Sequence, residues 1–95
     1  MLANAPVITV TNAEISVGKA TMPINFVGNV IEIGENEAFA EKGPKLDARA
    51  YLALQASSTG LVKIELSDPA DPTPYWLVST GEPEKFLDAL KRAKN

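Results

Sequence analysis

Residues 67–95, SDPADPTPYWLVSTGEPEKFLDALKRAKN (Ser67–Asn95), set out a turn, a strand, a helix start and an amphipathic helix in one continuous stretch. In Asp68-Pro69-Ala70-Asp71-Pro72-Thr73-Pro74 the three prolines remove backbone donors and hold φ near about −65°, so the link is a stiff extended turn. Tyr75–Ser79 follows as an aromatic strand, on which alternate side chains take opposite faces. Trp76 shares a phase with Val78 and is expected beneath the closing helix. Tyr75 points the other way, either as an exposed ring able to anchor a peptide or as a second packed structural ring.

The helix is expected to start near Pro83, whose fixed φ suits a first turn, with Thr80 or Ser79 accepting an orphan amide bond. Phe86, Leu87, Leu90 and Ala93 then form one apolar stripe at helical spacing. Glu82 and Glu84 lie at the positive end of the helix dipole and Lys91, Arg92 and Lys94 at the negative end. Asp88 and Arg92, one turn apart, are placed to pair.

Working back from this stretch, Leu61–Ser67 reads as the strand that pairs with Tyr75–Ser79, with Val62, Ile64 and Leu66 on one face and Lys63 and Glu65 on the other. Ser57-Ser58-Thr59-Gly60 reads as a loop, Ala50–Gln55 as a strand, and Glu35–Lys42 as a short helix ended by Gly43-Pro44. Toward the N-terminus, Val7–Thr11 and Ala13–Val17 alternate as strands, Gly18-Lys19 turns, and Ala20–Met22 leads through Pro23 into Ile24–Ile33, a third strand or a pair of short ones. Alternation breaks at Gly28-Asn29, which predicts a bulge; the other reading is a glycine that lets a ligand approach the backbone. The order predicts an α+β domain, mainly antiparallel β: a small curved sheet or partly open barrel, of the kind found in pleckstrin-homology-like folds, closed by a C-terminal α-helix. Met1–Pro6 reads as a tether left from a longer chain and residues 7–95 as a single domain.

The chain has 95 residues, 45% of them hydrophobic, enough for one core. It has no cysteine, so stability rests on packing alone, and no histidine, so the commonest general base and metal ligand are both missing. Twelve acidic against 9 basic residues give a net charge of −3, which opposes attraction to phosphate backbones, and nucleic acid is excluded as a partner. No run approaches the roughly 18 apolar residues of a spanning helix, and the start MLANAPVITV is unlike a signal peptide. As it stands, the chain is expected to be soluble.

Along PADPTPYWLVSTGEPEKFLDAL the chain resembles the C-terminal domain of an actinobacterial membrane-protein family, domain of unknown function 3093. The matching positions are Asp71, Pro72, Thr73, Pro74, Tyr75, Trp76, Leu77, Val78, Ser79, Thr80, Pro83, Leu87 and Leu90. Val27-Gly28 and the arginine-led Ala48-Arg49-Ala50-Tyr51-Leu52 add to the likeness, whereas Gln55–Thr59 departs from a more aromatic and basic segment. The resemblance implies a pair of transmembrane helices ahead of this domain, with the domain on the cytoplasmic face of the cell membrane. It implies no activity and carries over no catalytic residue.

Glu65, Asp68 and Asp71 are the best carboxylate group for a hard cation, but their spacing fits no calcium loop and aspartate before proline is common in turns, so no metal is expected. Ser79-Thr80-Gly81 before a helix offers amides to an anion, but Glu82 and Glu84 compete for the same positive end. Phosphate-loop and dinucleotide fingerprints are absent, so no cofactor is expected. The reading that follows is a non-enzymatic interaction domain binding a protein or peptide partner at a sheet edge or a groove beside the helix, with Tyr75, Lys91, Arg92 and Lys94 as candidate contacts. The alternatives are a lipid-headgroup module using the three cations, and a carboxylate-dependent metal-binding protein or enzyme.

Overall fold

The computed structural model describes residues 7–54 and 60–94; Met1–Pro6, the divergent Gln55–Thr59 and Asn95 lie outside the described residues, and with them most of the expected Ser57–Gly60 loop. Two open sheets face each other. β1 (Ile8–Val10), β2 (Glu14–Val17) and β3 (Ala20–Pro23) form an antiparallel meander, and β4 (Val27–Ile33), β5 (Tyr51–Ala53), β6 (Gly60–Leu66) and β7 (Tyr75–Thr80) form a second sheet in the order β4-β6-β7-β5. The helices are α1 (Glu35–Lys42) and α2 (Pro83–Lys94). The fold is α+β and mainly antiparallel as expected, but neither a single sheet nor a barrel, and β5 runs parallel to β7.

Ile24–Ile33 is not strand throughout. Ile24–Phe26 is a 3₁₀ turn that carries the chain from one sheet to the other, anchored by the Ile24 amide on the Ala13 carbonyl at 2.9 Å. The expected bulge is present: β4 pairs with β6 at Val27↔Leu66 and again at Val30↔Ile64, with the register shifted between them. A Cβ on Gly28 would sit 3.0 Å from the Glu65 carbonyl oxygen, so the absent side chain lets β4 approach β6 closely.

Between the sheets lies the main core: Ile15, Val17 and Met22 from one side, Val62, Ile64, Trp76 and Val78 from the other, and Phe86 and Leu90 from α2. A row of paired residues, Val30, Ile64, Trp76 and Tyr51, crosses the four-stranded sheet on this face. Tyr51 meets Trp76 edge-on at 5.5 Å and donates its hydroxyl hydrogen to the Val17 carbonyl at 2.9 Å, tying the two sheets together. That hydroxyl lies against Gly18, whose φ of +60° turns the β2–β3 hairpin. Phe86, Leu87, Leu90 and Ala93 dock α2 on the core, as their spacing predicts. Burying Phe86 and Leu90 contributes roughly 1.5–3 kcal/mol each.

The outer face of the four-stranded sheet has its own cluster, Ile33, Leu61, Tyr75 and Leu77, covered by Ala38 of α1 and by Leu46 and Ala50 of the chain that follows. β7 is therefore apolar and buried on both faces. Tyr75, one of the two readings of which was an exposed anchor, is 7% exposed, and its hydroxyl accepts the Asp47 amide at 3.0 Å. Lys63 on the neighbouring strand lays its ammonium 4.5 Å from the centre of the Tyr75 ring and 3.6 Å from the Glu41 carboxylate, which α1 buries against the sheet.

Candidate partner-binding groove beside the closing helix

α2 packs on β1, on β4, on β6 and on the 3₁₀ turn, spanning the mouth between the two sheets. Thr80 turns the chain ahead of it: its hydroxyl accepts the Glu82 amide at 3.1 Å, one residue before the helix begins at Pro83. The Glu82 carboxylate pairs with Lys85 at 3.0 Å, so the entry to the helix carries its own turn bond and ion pair, in keeping with the expected competition of Glu82 against an anion. A hollow lies on each flank of the helix.

On the β1 side the hollow is open and electrically mixed. Ile8, Val10, Phe86 and Ala89 line a volume of about 290 Å3 together with Glu82 and Lys85. An adjoining hollow toward the end of the helix includes Thr11, Asn12 and Arg92.

The β4 side differs. A more enclosed groove of about 200 Å3 runs between the bulge and the last two turns of α2, lined by Gly28, Asn29, Val30, Leu87, Leu90, Lys91 and Lys94. Leu90 is buried and Leu87 and Val30 half-buried, while both lysines are exposed. Lys94 donates from Nζ to the Gly28 carbonyl at 3.0 Å, and the Asn29 amide donates to Glu65 at 3.1 Å. Among the described residues no acidic one lines this groove.

The cationic trio is thus divided by the helix: Lys91 and Lys94, three residues apart, share one flank and Arg92 falls on the other. Asp88 and Arg92 do not close an ion pair; among the described residues the pairs are Arg49–Asp47, Lys63–Glu41 and Lys85–Glu82. Tyr75 is not brought to either groove. The role of the bulge as a groove wall escaped the sequence reading, although the broken alternation at Gly28 marked the place.

The carboxylates of Glu65, Asp68 and Asp71 are spent separately. Asp68 accepts the Ala70 amide and Asp71 the Thr73 amide, each at 2.9 Å, so both form local turns, and Glu65 is held by Asn29. Among the described residues no three His, Cys, Asp or Glu side chains gather as a metal would require. Asp47 is held below its ordinary range by side-chain and backbone hydrogen bonds from Arg49, with bonds of 2.8 to 3.2 Å, and Arg49 is raised in turn.

The molecule is thus a small α+β domain of two facing open sheets closed by a C-terminal helix, with an apolar, lysine-rimmed groove at one edge. It belongs to the family described as protein of unknown function (DUF3093), whose model matches residues 1–90. No curated protein and no solved structure matches the chain. Among the described residues no helix is long and apolar enough to cross a membrane.

Proposed function

We propose that this domain is a non-enzymatic interaction module that takes a protein or peptide partner into the groove between β4 and α2. One observation carries the reading: the groove joins an apolar wall to an edge strand, the combination by which extended peptides are held through both side chains and main chain. The residue types of the chain support the non-enzymatic part, since histidine and cysteine are absent and the best carboxylates are engaged in turns.

Selection from a random-peptide phage library, followed by amide chemical-shift mapping with the selected peptides, tests it. Shifts are expected at Gly28–Val30 and along the second half of α2. Enrichment of no peptide, or shifts confined to the β1 flank or the α1 layer, would sink it.

Two finer inferences follow: the order of strands and closing helix supports a pleckstrin-homology-like variant, and the resemblance along Asp71–Leu90 supports a domain that works at the cytoplasmic face of an actinobacterial membrane through a segment outside these residues. The upstream reading frame decides the second, and two apolar stretches of roughly 20 residues are expected there. The three exposed cations in the last turn favour headgroup recognition as a second reading, against which stand the net charge of −3 and the separation of Arg92 from Lys91 and Lys94. Failure to sediment with anionic vesicles at low salt removes it.

A further inference from the structure

We infer that the groove between β4 and α2 selects an acidic peptide, one that seats an apolar side chain on Val30, Leu87 and Leu90 and places a neighbouring carboxylate on Lys94 and Lys91. The inference rests on the partner-binding reading above and adds the chemistry of the partner.

Size sets the anchor. At about 200 Å3 the groove falls below the roughly 300–1,000 Å3 of sites that enclose a small organic ligand. A dry cavity of about 150 Å3 is enough for a benzene ring, so one large apolar side chain fits here.

Charge sets what flanks that anchor. The Lys94 ammonium is already fixed on the Gly28 carbonyl at 3.0 Å, and an ammonium has three donors and no acceptor, so two remain for an incoming carboxylate. A cation held in place before binding loses less freedom when it binds. Lys91 lies one turn back on the same flank, and among the described residues no acid lines the groove to pair with either lysine. Glu65 holds Asn29 at 3.1 Å and keeps its own charge beside the groove, so two lysines face one neighbouring carboxylate. On the opposite flank the pairing of Lys85 with Glu82 cancels the field, so the selectivity belongs to one side of the helix. A net charge of −3 opposes a whole anionic bilayer, whereas a peptide small enough to meet only the groove meets a local excess of cations.

The test uses one leucine-anchored peptide scaffold in three versions, flanked by Asp and Glu, by Asn and Gln, or by Lys. Each is titrated into the wild-type chain, K91Q and K94Q, with amide shifts read at Gly28–Val30 and Leu87–Lys94. The acidic peptide should bind about tenfold more tightly than the amide one, and each lysine variant should weaken the acidic peptide about three- to fivefold while leaving the amide peptide unchanged. Both lysines are exposed, so the variants should keep the wild-type spectrum elsewhere. Equal binding of the acidic and amide peptides in the groove overturns the charge selection and leaves the partner-binding reading standing. No groove shift with any of the three overturns both. Binding to phosphatidylserine vesicles that K91Q and K94Q abolish, with no peptide response, assigns the cations to a membrane and overturns the inference.

Discussion

Replacing Tyr75 separates a packed ring from a partner anchor. The ring is 7% exposed in the outer cluster with Ile33, Leu61 and Leu77, its hydroxyl accepts the Asp47 amide at 3.0 Å, and the Lys63 ammonium lies 4.5 Å from its centre. Tyr75→Phe removes only the hydroxyl and should cost about 0.5–1.5 kcal/mol, the net worth of one partly buried hydrogen bond. Tyr75→Ala also empties the ring site and removes the cation–π contact, so the expected loss is roughly 3–5 kcal/mol. A domain of this size is stable by about 5–14 kcal/mol, so the alanine variant loses roughly a fifth or more of its folding free energy.

Urea unfolding followed by fluorescence of Trp76, the single tryptophan and itself buried, measures both. With a slope of roughly 1–1.5 kcal/mol per molar urea, Tyr75→Phe should lower the midpoint by roughly 0.3–1.5 M and Tyr75→Ala by about 2 M or more. An alanine variant within about 0.5 kcal/mol of wild type would refute the buried second layer, because only a surface position tolerates that change.

Three further outcomes are expected. Gly18→Ala forces a side chain into φ +60° with its Cβ 2.8 Å from the Tyr51 hydroxyl, and should lower the calorimetric Tm by roughly 5–10 °C through a loss of about 1–2 kcal/mol. Lys63→Met leaves the buried Glu41 carboxylate without its ammonium and should destabilise by about 1–3 kcal/mol, while adding Glu41→Gln should restore much of it, as a double-mutant cycle in urea would read. Asp47 titrates below its ordinary 3.8 in the folded chain because Arg49 holds the ionised form. The unfolded chain then binds more protons in that range, so the contribution is complete above 3.8 and lost as pH falls through the lowered folded value. A carboxyl NMR titration should show this midpoint, and Arg49→Gln should return it toward 3.8.

What is legible in the sequence is local. The proline turn, the Pro83 start and the Phe86-Leu87-Leu90-Ala93 stripe each need only a few neighbouring residues, and each stands where its chemistry puts it. The break at Gly28 is of the same kind. The second layer is less visible, because α1 turns Ala38 and the charged Glu41 inward while leaving Phe39 79% exposed, the reverse of an amphipathic signal. A trace of it exists in Tyr75-Trp76-Leu77-Val78: four large apolar residues without alternation mark a strand covered on both faces. The parallel pairing of β5 with β7 joins residues more than 20 positions apart and has no local signature. The groove is legible by halves. A turn of about 100° per residue puts Lys91 and Lys94 on one flank and Arg92 on another, but which strand lies opposite them is decided by the packing.

The place of β7 in the four-stranded sheet governs the order in which the chain can assemble. β1, β2 and β3 are joined by short connections and can pair as soon as they leave the ribosome, whereas β5 has no partner strand until residues 75–80 arrive. Until then Ile64, Val62 and Ala53, which the finished molecule buries, stay open to water and to other nascent chains. A chain truncated ahead of Tyr75 should therefore collect as aggregate rather than as a smaller folded unit, and synthesis of the last two elements becomes the step on which solubility in the cell depends.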